Sequence, residues 1–153
     1  MGNKASAKDA ELILKLYELR REPELRKARN WWLWEFSPRS ADDFLKVVNA
    51  GGTQENNWLR QGASYWGMAA SLVRQGVLDE DLFLRPACSG EMFFMFAKVY
   101  PFITELREKL GDPEVFLDVE KVVTGTKWGR ERLKFILKRI ESMREKKAKE
   151  AQA

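Results

Sequence analysis

Helix starts and stops recur at short intervals along this chain, and no run of alternating apolar and polar residues between them reads as a set of strands. Ser6 with Asp9 has the form of a capping pair, and Leu12, Ile13, Leu16 and Leu19 follow at helical spacing until Pro23. Pro23 suits a helix start equally well, so EPELRKARNWWLWEF reads as a second helix reaching Phe36 and stopped by Ser37 and Pro38. Ser40 and Asp43 open a short third helix through Val48, closed by Gly51 and Gly52. Thr53 caps a fourth, over 54–75, with Gly76 as its stop, and Asp79 caps a single short turn in EDLFLRP. A fifth runs from near Glu91 to Leu110, bent at Pro101 because proline removes a backbone hydrogen bond and crowds the preceding turn, and Gly111 ends it. Asp112, Pro113 and Glu114 signal another start. There the β-branched run VFLDVEKVV leaves a strand as the alternative to the helix assigned. The last helix starts near Thr126 and continues past Met143, with Leu133, Ile136, Leu137 and Ile140 as its apolar stripe. The prediction is an all-α, compact bundle of six or seven helices in one domain over residues 1–153, with a basic C-terminal helix and frayed ends at 1–6 and 146–153.

A chain of 153 residues, 44% apolar and 33% charged, has the size and composition to bury one core without disulfides. Its one cysteine, Cys88, forms no intramolecular bridge, which fits a reducing cytoplasm, and a buried inert thiol is its expected state. The longest apolar run, Met92 to Ala97, is far below the roughly 20 residues that span a bilayer. No signal-peptide pattern opens the chain, and a cytoplasmic location is expected. The absence of histidine removes the usual general base near neutral pH and the commonest metal ligand. Serine and cysteine triads, a structural zinc site and histidine-ligated haem go with it. Neither a cofactor nor a metal is expected, and an enzyme is disfavoured. The acidic runs Asp42-Asp43 and Asp79-Glu80-Asp81 sit at helix starts, where carboxylates favour the dipole, and lack the ligand spacing of a calcium loop. MGNKAS matches the short N-acylation pattern of Gly2 with Ser6, a signal of low specificity.

The stretches LYELRREPELRKARNWW and SYWGMAASLVRQGVLDEDLF resemble an uncharacterised bacterial family of mostly helical domains. The resemblance implies a helical fold and a bacterial source, and no activity.

Four stretches are candidates for function. NWWLWEF makes the end of the second helix apolar around most of its circumference. Such an end either inserts between other helices as core or offers Trp31, Trp32, Trp34 and Phe36 to a partner, with membrane insertion after the basic Arg26, Lys27 and Arg29 as a further reading. Gly62, Ala63, Gly67, Ala70 and Ser71 line one side of the fourth helix. Two helix glycines cost about 1 kcal/mol each, which close approach of another helix, within the chain or from a second copy, would offset. EMFFMFAKVYPF reads first as core and second as an adaptable pocket around Phe93, Met95 and Tyr100, with Tyr65 and Glu91 as polar handles. Residues 127–153 hold ten Lys or Arg against four Asp or Glu, a net of +6 that leaves −2 for the rest. A solvated basic face explains this, and phosphate contact with nucleic acid or docking on an anionic membrane through Lys138, Arg139, Arg144, Lys146 and Lys147 is the functional alternative. No helix-turn-helix, finger or aromatic strand platform supports base-specific reading.

The expected function is therefore a non-enzymatic protein-interaction or self-association domain, working through the tryptophans or the small-residue face. Electrostatic binding by the last helix is the alternative, and a carrier or enzyme with an apolar pocket, using Glu91 or Asp81 as acid–base group, is the third reading.

Overall fold

The computed structural model describes residues 4–153, so Gly2 of the acylation pattern lies outside the described residues. Those residues are all-α, with no strand among them. The helices are α1 (Ala7–Leu19), α2 (Pro23–Asn30), α3 (Ala41–Val48), α4 (Gln54–Arg74), α5 (Glu80–Phe83), α6 (Pro86–Val99), α7 (Ile103–Leu110), α8 (Leu117–Thr124) and α9 (Lys127–Ala151). A π turn, Trp31–Glu35, extends α2, and a 3₁₀ turn, Tyr100–Phe102, joins α6 to α7. The bend expected at Pro101 is thus a full break, and with the one-turn α5 it accounts for more helical elements than six or seven.

The capping signals act as written. Ser6 and Asp9 form a reciprocal capping box, Ser40, Thr53, Asp79 and Thr126 each accept a backbone N–H three residues on, and Gly111 ends α7 in the left-handed conformation. Asp9 also accepts the backbone N–H of Asp79 at 2.9 Å, which ties the start of α1 to the start of α5. Ser6, read as part of a frayed end, is therefore a working cap, and α9 runs on across the stretch from 146 to Ala151.

Two starts differ from expectation. α6 begins at Pro86 rather than near Glu91, because proline fits the first helical position and the turn before it needs no further spacer. Residues 113–116 form turns, and α8 begins only at Leu117, after Phe116 in the left-handed region at φ 57°. The β-branched stretch is helical because Val119, Val122 and Val123 recur at helical spacing and are all buried.

α4 packs against α2, α3 and α8, and α6 packs against α9 and α8. The π turn lies between α4 and α6 and joins the two groups. Trp31, Trp32 and Phe36 meet there: Trp31 stacks on Phe36 at 4.4 Å between ring centres, and Trp32 meets Phe36 edge-on at 5.1 Å. Among the described residues no helix is long and apolar enough to cross a membrane.

Candidate functional site

The wide turn at 31–35 distributes the tryptophans unequally. Trp31, Trp32 and Phe36 are buried, whereas Trp34 is 64% exposed. Three of the four aromatic residues read as partner candidates are therefore core, since an inserted helix end surrounds them with the bundle's own side chains, and Trp34 alone is presented outward. The end of the π turn is held by Lys98, whose Nζ donates to the carbonyl oxygens of Trp32, Leu33 (3.2 Å) and Phe36 (2.6 Å). Those carbonyls have no helical partner beyond the turn, and a buried ammonium with three donors satisfies them together. Burial, with Arg144 and Lys147 nearby, pushes Lys98 down to about 8.

The pocket expected around Phe93, Met95 and Tyr100 is filled. Phe93 and Met95 are core, Phe93 meeting Trp128 edge-on, and Tyr100 lies on the surface. The gap bounded by Arg29, Trp32, Gly62, Glu91 and Met95 holds about 10 Å³, at the lower limit for one water. Its polar handles are engaged elsewhere. Glu91 accepts a two-pronged bond from Arg29, at 2.7 Å from Nε and 2.5 Å from Nη2, and this raises Arg29 further and ties α2 to α6. The Tyr65 hydroxyl donates to the Leu16 carbonyl, and burial pushes it up to about 12. Asp81 is exposed on α5, and Cys88 is half-buried, its thiol pushed up by burial.

The small-residue row of α4 divides into two. Gly62 faces inward: a Cβ there would stand 2.5 Å from Cδ1 and Nε1 of Trp32, so the missing side chain is the space the indole occupies. Ala70 is buried on the same inner side. Gly67 behaves differently, because a Cβ there would meet nothing within 4 Å. With Arg60, Ala63 and Ser64, spaced i, i+3, i+4 and i+7, it forms one wall of a groove of about 560 Å³.

The opposite wall is the segment 114–119, and Phe44 and Phe116 meet edge-on at 6.0 Å within the groove. Arg107 fixes that wall, donating from Nε to the Val115 carbonyl at 2.9 Å while its Nη1 faces Glu120 at 3.3 Å. Arg74 bonds Asp118 at 2.6 Å and ties the wall to α4. Sequence reading missed Phe44, Val115 and Phe116, because nothing local brings α3 and the 113–116 turns to α4. The signal for Lys98 was present: it is the only charged residue between Glu91 and Glu105.

The basic candidates of α9 do not form one patch. Helical spacing puts Lys138 on the side away from Ile140 and Arg144, and Arg139 with Lys146 about a third of a turn or more round from them. Arg144 turns inward, donating from Nε to Ser37 Oγ at 3.0 Å and from Nη2 to the Pro38 carbonyl at 3.1 Å, and only Lys147 joins it there.

No curated protein and no solved structure matches the chain. A family model matches residues 5–128, which run from the α1 cap to the first turn of α9 and include every residue of the groove beside Gly67. The chain therefore belongs to the family described as Domain of unknown function (DUF4760).

Proposed function

We infer that this domain acts by binding, and that the groove beside Gly67 receives apolar side chains of a protein partner, a second copy of the chain included. One observation carries the reading. A mid-helix glycine costs about 1 kcal/mol relative to alanine, and at Gly67, unlike Gly62, no close packing offsets that cost. What the absent side chain does is keep the groove open. Phe116 supports this, since a bulky residue in the left-handed region is strained and its ring forms part of the same groove. The groove also lies wholly within the span the family model matches. A second reading, a small apolar molecule as occupant, is favoured by the volume, which falls within the range of small-ligand sites.

Gly67→Leu separates function from folding. The leucine fills open space and removes a helix glycine, so the thermal midpoint holds or rises, by about 1 kcal/mol in stability. A photocrosslinking residue placed at the exposed Ser64 should capture a partner, or a second copy in purified material, in the parent chain and lose it with leucine at 67. Nile red, a neutral apolar dye, reports the small-molecule reading: saturable binding abolished by the same substitution supports it. Equal crosslinking and equal dye binding in the two proteins would sink both.

A further inference from the structure

We propose that the cleft between the π turn, α6 and the last turns of α9 is a second binding site, for an amphipathic anion: an alkyl chain ending in a phosphate or carboxylate. The tail lies between Trp34, Phe94 and Met143, and the head meets Arg144 and Lys147. The site is separate from the groove beside Gly67, and nothing in it rests on the reading of that groove.

The cleft encloses about 210 Å³. Its charge is one-sided: Lys98, Arg144 and Lys147 line it, and among the described residues no carboxylate does. Glu141, outside the lining, stands 3.9 Å from Arg144 Nη1 and is drawn off by Arg39 at 3.4 Å. Lys98 contributes charge but no free donor, because its three N–H groups are used on the π-turn carbonyls. Arg144 has Nε and Nη2 committed to Ser37 and Pro38, which aims the guanidinium and leaves Nη1 for an incoming oxygen. Lys147 is exposed and makes no ion pair or hydrogen bond among the described residues. Burial first and neighbouring cations second register in their titration: Lys98 is depressed by burial and then by Arg144 and Lys147, and Arg144 is lowered by burial and then by Arg39, with Glu141 opposing. An anion at this place relieves both.

The other half of the site is apolar. Trp34 and Met143, 64% and 39% exposed, line the charged cleft together with the half-buried Phe94. An inorganic anion would pair with the cations and leave those side chains wet, while a neutral apolar molecule would cover them and leave the cations unpaired. A ligand with both parts answers both. A peptide is a poorer fit, because the walls are side chains and the floor carbonyls are already taken by Lys98, so no main-chain ladder is on offer.

The probe is decyl phosphate below its micelle concentration, titrated calorimetrically into the full chain at low salt. Saturable binding is expected, weakened by salt and weakened about tenfold by Trp34→Ala and by Lys147→Glu. Both positions are exposed and unbonded, so the thermal midpoints of the variants should match the parent. Inorganic phosphate and decyl maltoside, which carry the head and the tail alone, should each bind far more weakly. A free molecule and a bilayer both present such a head group, and vesicles of phosphatidylglycerol with phosphatidylcholine tell these apart. Vesicle binding lost in the same two variants assigns a membrane lipid, and vesicles left unbound beside bound decyl phosphate assign a free anion. The proposal is overturned if decyl phosphate does not saturate, if either variant binds as the parent does, or if inorganic phosphate or polyglutamate displaces the probe at equal charge.

Discussion

Replacing Lys98 with methionine lowers the stability of the fold by about 3 kcal/mol, measured as a fall in the denaturant midpoint at unchanged slope. The side chain is close in length and apolar, so the hole is small and the loss is electrostatic. The carbonyls of Trp32, Leu33 and Phe36 lose their donor together in a place that water does not reach freely. A buried acceptor left unmatched costs about 1 to 3 kcal/mol, and partial rearrangement of the π turn limits the sum. The near-ultraviolet signal of the tryptophans should weaken as well, because the turn that orients Trp31 and Trp32 loses its end. A midpoint within experimental error of the parent would show that the turn is held by its aromatic packing alone.

The same lysine sets a pH dependence whose sign is opposite to that of a salt-bridged lysine. Its value in the fold, about 8, lies below the 10.5 of the free side chain. Below pH 8 both folded and unfolded chains carry the charge, and the fold bears the cost of burying it. Between about 8 and 10.5 the folded chain has released the proton while the unfolded chain still holds it, so stability from this group rises with pH and levels off above that window. The parent should therefore gain on the Lys98→Met protein across the window. A constant difference from pH 7 to 10.5 would mean that the three carbonyls hold the ammonium as firmly as water does.

Gly62→Ala is the second large effect, a loss of about 2 kcal/mol. The added methyl would overlap the indole of Trp32, which is 2% exposed and walled by Trp31, Phe36 and Phe44. The gap beside the ring holds about 10 Å³, too little for an indole to step aside, so the overpacking penalty of about 1 to 3 kcal/mol exceeds what a better helix former returns. Gly67→Ala, five residues along the same helix, should instead stabilise by up to about 1 kcal/mol. The informative quantity is the difference of sign between the two, read from denaturation of both proteins. Equal effects would remove the distinction between a glycine that serves packing and one that keeps a groove open.

The helical class and most boundaries were legible in the chain, because caps and stops act over three or four residues and carry their own hydrogen bonds. Ser6 with Asp9, Ser40, Thr53, Asp79, Thr126 and Gly111 all function where they were read. The start at Leu117 was not legible, since it depends on Phe116 accepting a strained backbone so that its ring can reach Phe44. The tryptophan cluster was conspicuous, yet whether it served core or surface turned on a single wide turn that buries Trp31 and Trp32 and releases Trp34. Both concave sites were assembled at a distance, one from α3, α4 and the 113–116 turns, the other from the π turn, α6 and the end of α9.

Residue order by itself determined that this chain is helical, that it lacks imidazole for acid–base or metal chemistry, and that its positive charge is gathered at one end. Only the tertiary structure decided which glycine is packed and which lies open, which tryptophan of the 31–34 cluster is exposed, and which of the basic residues stand together. Those outcomes depend on side chains from helices far apart in sequence meeting in one place, and no local propensity encodes such a meeting.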